Sequence, residues 1–206
     1  MKKPADSTII NVCVIPSVEV GAECVGLSQA LKATNPLFVL DGVNKFAHMT
    51  VFMARFADDK IPEVIQRVQA VIKEATPFEC RHTGYFLTSG RYLEVSYRKS
   101  KYFMWLHESL ISGLAPLRIN PGNPYEEGYF TPYTFEQQQN AKETGYDLAR
   151  GLYRPHITLT RWAEGKVPEI FPGFAPAKLS FQLSTVCVFK ADNNGAVYEE
   201  LARFSI

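Results

Sequence analysis

Two stretches of the chain repeat one pattern of residues able to move protons. Residues 46–56 read FAHMTVFMARF and residues 153–162 read YRPHITLTRW. Each contains His, an apolar residue, Thr and a second apolar residue: His48-Met49-Thr50-Val51 and His156-Ile157-Thr158-Leu159. Both segments have the composition of strands, in which residues i and i+2 point to the same face. His48 and Thr50 therefore project together, as do His156 and Thr158, with the apolar residues behind them. Each motif offers an imidazole that titrates near neutral pH beside a hydroxyl able to donate a hydrogen bond.

The other two histidines lack a mirrored partner. His107-Glu108-Ser109 also has hydroxyl spacing, but YFMWLHESLISGLAPL has a helical pattern, in which i and i+2 lie about 200° apart. His82 and His107 are therefore expected to be structural or surface residues. No HxH or HExxH brings a third ligand near the motif histidines, so neither a metal site nor a cofactor is expected.

The paired HMTV and HITL resemble the two HxTx motifs of the 2H phosphoesterase superfamily, which includes the LigT-like 2′-5′ RNA ligase and cyclic phosphodiesterase proteins. The resemblance runs along most of the chain. It implies a bilobal α+β protein, 1–206, with pseudo-twofold symmetry, two mostly antiparallel sheets around a central cleft, and helices on the outer faces. It implies catalytic roles for His48 and His156: one imidazole removes a proton from the attacking group, the other protonates the leaving oxygen. Thr50 and Thr158 would bind non-bridging phosphate oxygens. The family points to His156 as base and His48 as acid. The implied substrate is RNA or a nucleotide carrying a 2′,3′-cyclic phosphate or a 2′-5′ linkage, with ligation as the reverse direction. Two alternatives stand beside this reading: a non-catalytic RNA or nucleotide-binding module, and a phosphoesterase for a non-nucleic cyclic phosphate.

Flanking residues extend the candidate site. Arg154 and Thr160 share the His156 face by parity, and Phe46 and Phe52 share the His48 face. Arg154 is a candidate to neutralise phosphate. Arg55 and Arg161 fall on the opposite faces unless a bulge intervenes. Tyr129, Phe130 and Tyr133 are placed either to stack on a base or to pin their own loop to the surface, with Tyr133 a candidate substrate contact.

The elements that must position these residues are legible in outline. STIINVCVIP reads as a strand, VGAECVGLSQALKAT as a helix, and FAHMTVFMARF as a strand. KIPEVIQRVQAVIKEA carries the clearest helical stripe, through Ile61, Val64, Ile65, Val68, Val71 and Ile72. GYFLTSGRYLEVSYRKS reads as a hairpin turning at Thr88-Ser89-Gly90. Residues 119–151 read as an insertion or mobile loop with one exposed helix. Strands return at LYRPHITLTRWA, KLSFQLSTVCVFKAD and AVYEELARFSI, with a tight turn at ADNNG. Helices mixed with hairpins favour α+β over a doubly wound parallel sheet.

Composition bounds the function classes. With 206 residues and 46% hydrophobic content, the chain can build a sizeable core. A net charge of +1 argues against a polybasic coat of the histone type, while leaving room for a local basic cleft. There is no GxGxxG and no GxxxxGK[ST]. The four cysteines form no CxxC, and Cys13 and Cys187 lie in apolar strand-like runs, as expected of reduced buried thiols in a cytoplasmic protein. The first residues make a poor signal peptide, and neither membrane association nor an obligate protein partner is expected.

Overall fold

A computed structural model describes residues 6–119, 134–168, 178–192 and 195–206. The first sheet joins β1 (Ser7–Val14), β3 (Met49–Ala57), β9 (Thr185–Ala191) and β10 (Val197–Ser205) in the order β10-β9-β1-β3, all antiparallel. The second joins β2 (Phe38–Val39), β5 (His82–Leu87), β6 (Tyr92–Tyr97) and β7 (His156–Arg161) in the order β2-β7-β6-β5, again antiparallel. A small third ladder pairs β4 (Phe78–Cys80) with β8 (Phe181–Leu183). One motif thus lies on each four-stranded sheet, and β3 packs beside β7.

The helices form where local chemistry favours them. The Ser17 hydroxyl caps α1 (Val18–Ala30), and the Ser100 hydroxyl caps α3 (Lys101–Leu114). Pro62 sits in the first turn of α2 (Ile61–Lys73), which buries Val64, Val68 and Ile72 along one stripe. Thr134 and Gln137 form a capping box on α4 (Phe135–Thr144), which ends at left-handed Gly145.

The two halves are related by pseudo-twofold symmetry. Strand β1, helix α1 and motif strand β3 correspond to β6, α3 and β7. Each helix crosses over: α1 leaves the first sheet and packs on β7, while α3 leaves the second and packs on β3. This exchange threads both sheets into one continuous apolar core.

The symmetry extends to a bulge. Val12 pairs with Phe52 and Cys13 with Thr50, passing over Val51. Leu93 pairs with Thr160 and Glu94 with Thr158, passing over Leu159. Val51 and Leu159 occupy the same fourth position of their motifs. A bulge leaves its extra residue unpaired in the ladder. Each bulged carbonyl is met by a side chain from the crossing helix. His107 on α3 donates from Nδ1 to the Val51 carbonyl at 2.6 Å, and Ser28 on α1 donates to the Leu159 carbonyl at 2.6 Å.

Several expectations change. KLSFQLSTVCVFKAD is two strands, β8 and β9, interrupted at Ser184. β2 and β4 are too short to carry any periodicity. In the segment read as a loop, residues from Thr134 onward are built structure: α4 buries Asn140, Ala141 and Thr144, so it is not simply exposed. The Asn140 amide donates to the carbonyls of Asp147 and Ala149, which fixes the turn after the helix. Tyr129, Phe130, Tyr133 and the Asn193-Asn194 turn lie outside the described residues.

Candidate active site

The two motif histidines are held in the same way. The ring of His48 bonds through Nδ1 to the carbonyl of Phe46 at 3.1 Å, and that of His156 to the carbonyl of Arg154 at 2.7 Å. In both cases the acceptor is the backbone two residues back. A carbonyl only accepts, so each Nδ1 carries a proton; Nε2 of His156 faces Glu94, and the Gly195 carbonyl also bears on the His48 ring. Both rings are half-buried. Burial lowers the affinity of His48 for a proton; the Phe46 and Gly195 carbonyls oppose this, and a charge on His156 would lower it further. The two imidazoles are thus electrostatically coupled across adjoining strands.

Around His48, the Phe46 ring packs edge-on at 6.0 Å. Thr50 is oriented by Asn11 on β1, whose side-chain amide donates to the Thr50 hydroxyl oxygen at 2.9 Å. With its oxygen accepting there, the Thr50 hydroxyl proton remains able to donate to a ligand. The same Asn11 amide reaches the Gly195 carbonyl at 3.4 Å. Asn11 is fully buried within an apolar strand, and the sequence carried that signal: a lone amide in IINVCV.

Around His156, Thr158 lies abreast of Glu94 on β6, and Glu94 lies abreast of Phe86 on β5. Glu94 is only 3% exposed, an unusual burial for a carboxylate. One of its oxygens accepts from Arg154 at 2.8 Å; the other lies 3.6 Å from His156 Nε2. The Arg154 guanidinium also covers the Phe86 ring at 4.9 Å. Arg154 therefore does share the region of His156, but it is paired with a carboxylate. Neither Asn11 nor Glu94 belongs to a motif, so pattern reading passed over both.

The bulges alter what parity suggested beyond the fourth position. Phe52 is fully buried against Tyr146, and Thr160 is fully buried with its hydroxyl donating to the Phe38 carbonyl. Neither opens onto the site. Arg161 is buried too, stacked over Tyr92 and donating to the Gly90 carbonyl.

The remaining histidines have structural surroundings. His107 is fully buried, with Nδ1 donating to Val51, Nε2 accepting from the Arg150 amide at 2.9 Å, and its ring stacked 4.0 Å from Tyr153. His82 packs edge-on against Tyr85 and Tyr97. All four cysteines are free and buried; burial pushes the Cys24, Cys80 and Cys187 thiols up to about 12 and Cys13 upward as well. None is a nucleophile at neutral pH. Among the described residues, no helix is long and apolar enough to cross a membrane.

This architecture, with one His-x-Thr strand on each of two coupled sheets, is that of a 2H phosphoesterase. The chain belongs to the 2′-5′ RNA ligase superfamily, which it matches over residues 42–195. Its fold is similar to that of E. coli LigT in apo form, at TM-score 0.60 and 12% identity over 98% of this chain and 99% of that one. LigT complexed with 3′-AMP aligns at TM-score 0.57 and 15% identity, with the same coverage. The TT0787 protein of Thermus thermophilus aligns at TM-score 0.61 and 19% identity, covering 96% of this chain and 97% of that one. Among curated proteins no relative matches the chain.

Proposed function

We propose that the chain is a metal-independent phosphodiesterase that opens 2′,3′-cyclic phosphates or cleaves 2′-5′ linkages in RNA or nucleotides. The observation that supports this is the matched pair of imidazoles. His48 and His156 each have Nδ1 tied to the carbonyl two residues back, which orients the two rings alike. One takes a proton from water as it attacks phosphorus, and the other gives a proton to the departing oxygen. Thr50 and Thr158 donate to the non-bridging oxygens, where charge gathers in the transition state. Arg154 balances the Glu94 charge near the anion. A nucleotide-type substrate is favoured because the structural neighbour LigT is known in complexes with 3′-AMP, ATP and NADP+. The interlocked helices support a single bilobal unit, and four buried free thiols support a cytoplasmic location.

The test is direct. Purified protein in excess EDTA is incubated with each 2′,3′-cyclic nucleotide and with 2′-5′ linked dinucleotides. Turnover is expected, and it is expected to vanish in His48→Ala and in His156→Ala. Full activity in either variant, or wild-type activity that disappears with chelation, overturns the reading. Oligonucleotide binding without turnover across the panel points instead to a binding module.

A further inference from the structure

Two rows of residues cross the second sheet on the face that carries His156, because residues paired across antiparallel strands share a face. One row runs Thr158, Glu94, Phe86 from β7 through β6 to β5. The other runs His156, Ser96, Gly84. The first row is tall and ends at the sheet edge on the Phe86 ring, which is 49% exposed. The second is low. Beyond His156 it carries only a small hydroxyl side chain and a glycine, and a Cβ placed on Gly84 would meet nothing within 4 Å. Gly84 has φ 138, a conformation that other residues rarely adopt, so the backbone itself keeps this position bare. Neighbouring strands lie about 4.8 Å apart, so an open track of about 10 Å leads from His156 to the edge beside Phe86.

A hollow of about 210 Å³ opens beside the track, lined by Phe86, Ser96, Lys99, Tyr153, Arg154 and Pro155. Sites for drug-sized ligands span about 300–1,000 Å³, so this one suits a single flat ring system and not a whole nucleotide. Its walls are set in advance. The Arg154 guanidinium lies 4.9 Å over the Phe86 ring and is held by Glu94 at 2.8 Å. An aromatic ring and an anchored guanidinium plane are both surfaces on which nucleobases stack. The Lys99 ammonium, fixed by the Gly151 carbonyl at 2.8 Å, adds a cation to the wall. Residues 81–101 carry five basic side chains, Arg81, Arg91, Arg98, Lys99 and Lys101, against one acid, Glu94, which is buried and paired. In a chain of net charge +1 this surplus is local, and it favours a polyanion whose phosphates pass this edge. On the first sheet the row through Thr50 runs to Cys13 and Cys187, both fully buried. Among the described residues, the stacking platform therefore belongs to the second sheet.

We infer that Phe86 and Arg154 form a subsite for the nucleotide next to the reacting phosphate, so that the substrate is the end of an oligonucleotide and not a free mononucleotide. This rests on the phosphodiesterase reading and names its substrate class. The reacting phosphate lies by the motif histidines, the sugar-phosphate chain continues over Ser96 and Gly84, and the neighbouring base stacks on the Phe86–Arg154 platform. Glu94 holds the guanidinium plane in place for that base, which gives a buried carboxylate a use beside an anion site. Every base has a π-face, so the subsite selects for chain length and only weakly for sequence.

Adenosine 2′,3′-cyclic phosphate is compared with the 3′-5′ linked adenylate dinucleotide that ends in the same cyclic phosphate. The readout is the ratio of the two kcat/KM values in one enzyme, in which any general loss of activity or of folded protein cancels. The wild type is expected to favour the dinucleotide by about tenfold, and Phe86→Ala to bring the ratio within about twofold of unity. Phe86→Trp keeps a stacking face and is expected to keep the preference. A dinucleotide with an abasic 5′ residue is expected to lose most of its advantage on the wild type. A wild-type ratio near one, or a preference that survives Phe86→Ala, overturns the subsite; in the second case the ring serves the fold or the reacting nucleoside. Binding of adenosine 3′-phosphate and of the dinucleotide ending in a 3′-phosphate, which offer no cyclic phosphate to open, separates the two possible failures. A wild type that turns over nothing, yet binds the dinucleotide about tenfold tighter in a way that Phe86→Ala abolishes, keeps the subsite and refutes the phosphodiesterase reading. Turnover with equal binding and an equal rate for both lengths refutes the subsite and keeps the reaction.

Discussion

His107 donates a 2.6 Å hydrogen bond to the carbonyl of Val51, the bulged residue of the first motif. Its far nitrogen accepts from the Arg150 amide, so one ring bridges motif strand and loop. Ser28 does the same for Leu159, accepting from the Leu40 amide at 2.8 Å. Each bulge thus has its own buried clamp on the opposite half's helix. His107→Phe preserves the stacking on Tyr153 but leaves the Val51 carbonyl and Arg150 amide without a partner. Loss of about 2–4 kcal/mol of stability is expected by urea denaturation. Ser28→Ala, which leaves the Leu159 carbonyl and Leu40 amide unmet, is expected to cost about 1–3 kcal/mol. A neutral effect of both would show that the bulges do not need their clamps.

Acid stability should depend on two buried groups of opposite sign. Burial lowers His107 to about 4 and raises Asp147 to about 6. For His107 the unfolded chain binds more protons between about pH 4 and 6.5, so that group destabilises the fold as pH falls through this window. For Asp147 the folded chain binds more protons between about pH 4 and 6, so acidification relieves its penalty. The two slopes oppose each other there. Asp147→Asn is expected to be more stable than the wild type at pH 7, and to lose stability more steeply on going from pH 6 to 4. Parallel stability curves for the two proteins would rule out a titrating Asp147.

Asn11 should act on turnover through Thr50. Removing its amide frees the Thr50 hydroxyl to rotate away from the phosphate. Asn11→Ala is expected to lower kcat by about tenfold with KM little changed, whereas Thr50→Ala should cost about a hundredfold. The double variant is expected to be no worse than Thr50→Ala alone, since Asn11 acts through that hydroxyl. Additive losses would place Asn11 in an independent role.

The residues that could do chemistry were legible because they repeat: two His-x-Thr strands are a long-range signal written twice. The α2 stripe and the β5–β6 hairpin were legible because local periodicity and turn chemistry agree with their tertiary setting. The site's other half was not. Asn11, Glu94 and Ser28 come from strands and a helix distant in sequence, and their roles depend on register. A bulge at Val51 and Leu159 cannot be read from alternation, yet it ends the polar face at the motif. That is why Thr160, which continues the sequence stripe, is buried against β2 instead of lying beside His156.

Thr160 provides the last test. Its hydroxyl is buried and donates to the carbonyl of Phe38, which ties β2 to β7 beside only two ladder pairs. Thr160→Val is nearly isosteric but removes the donor, and a stability loss of about 1–2 kcal/mol is expected. Activity at saturating substrate is expected to remain within about twofold, because the bulge separates this hydroxyl from the His156 face. Thr158→Val, two residues earlier, is expected to leave stability nearly unchanged and to reduce kcat by about a hundredfold. The two substitutions are chemically identical and differ only in which side of Leu159 they fall. Equal effects on kcat would mean that the polar stripe is continuous and that the bulge does not delimit the site.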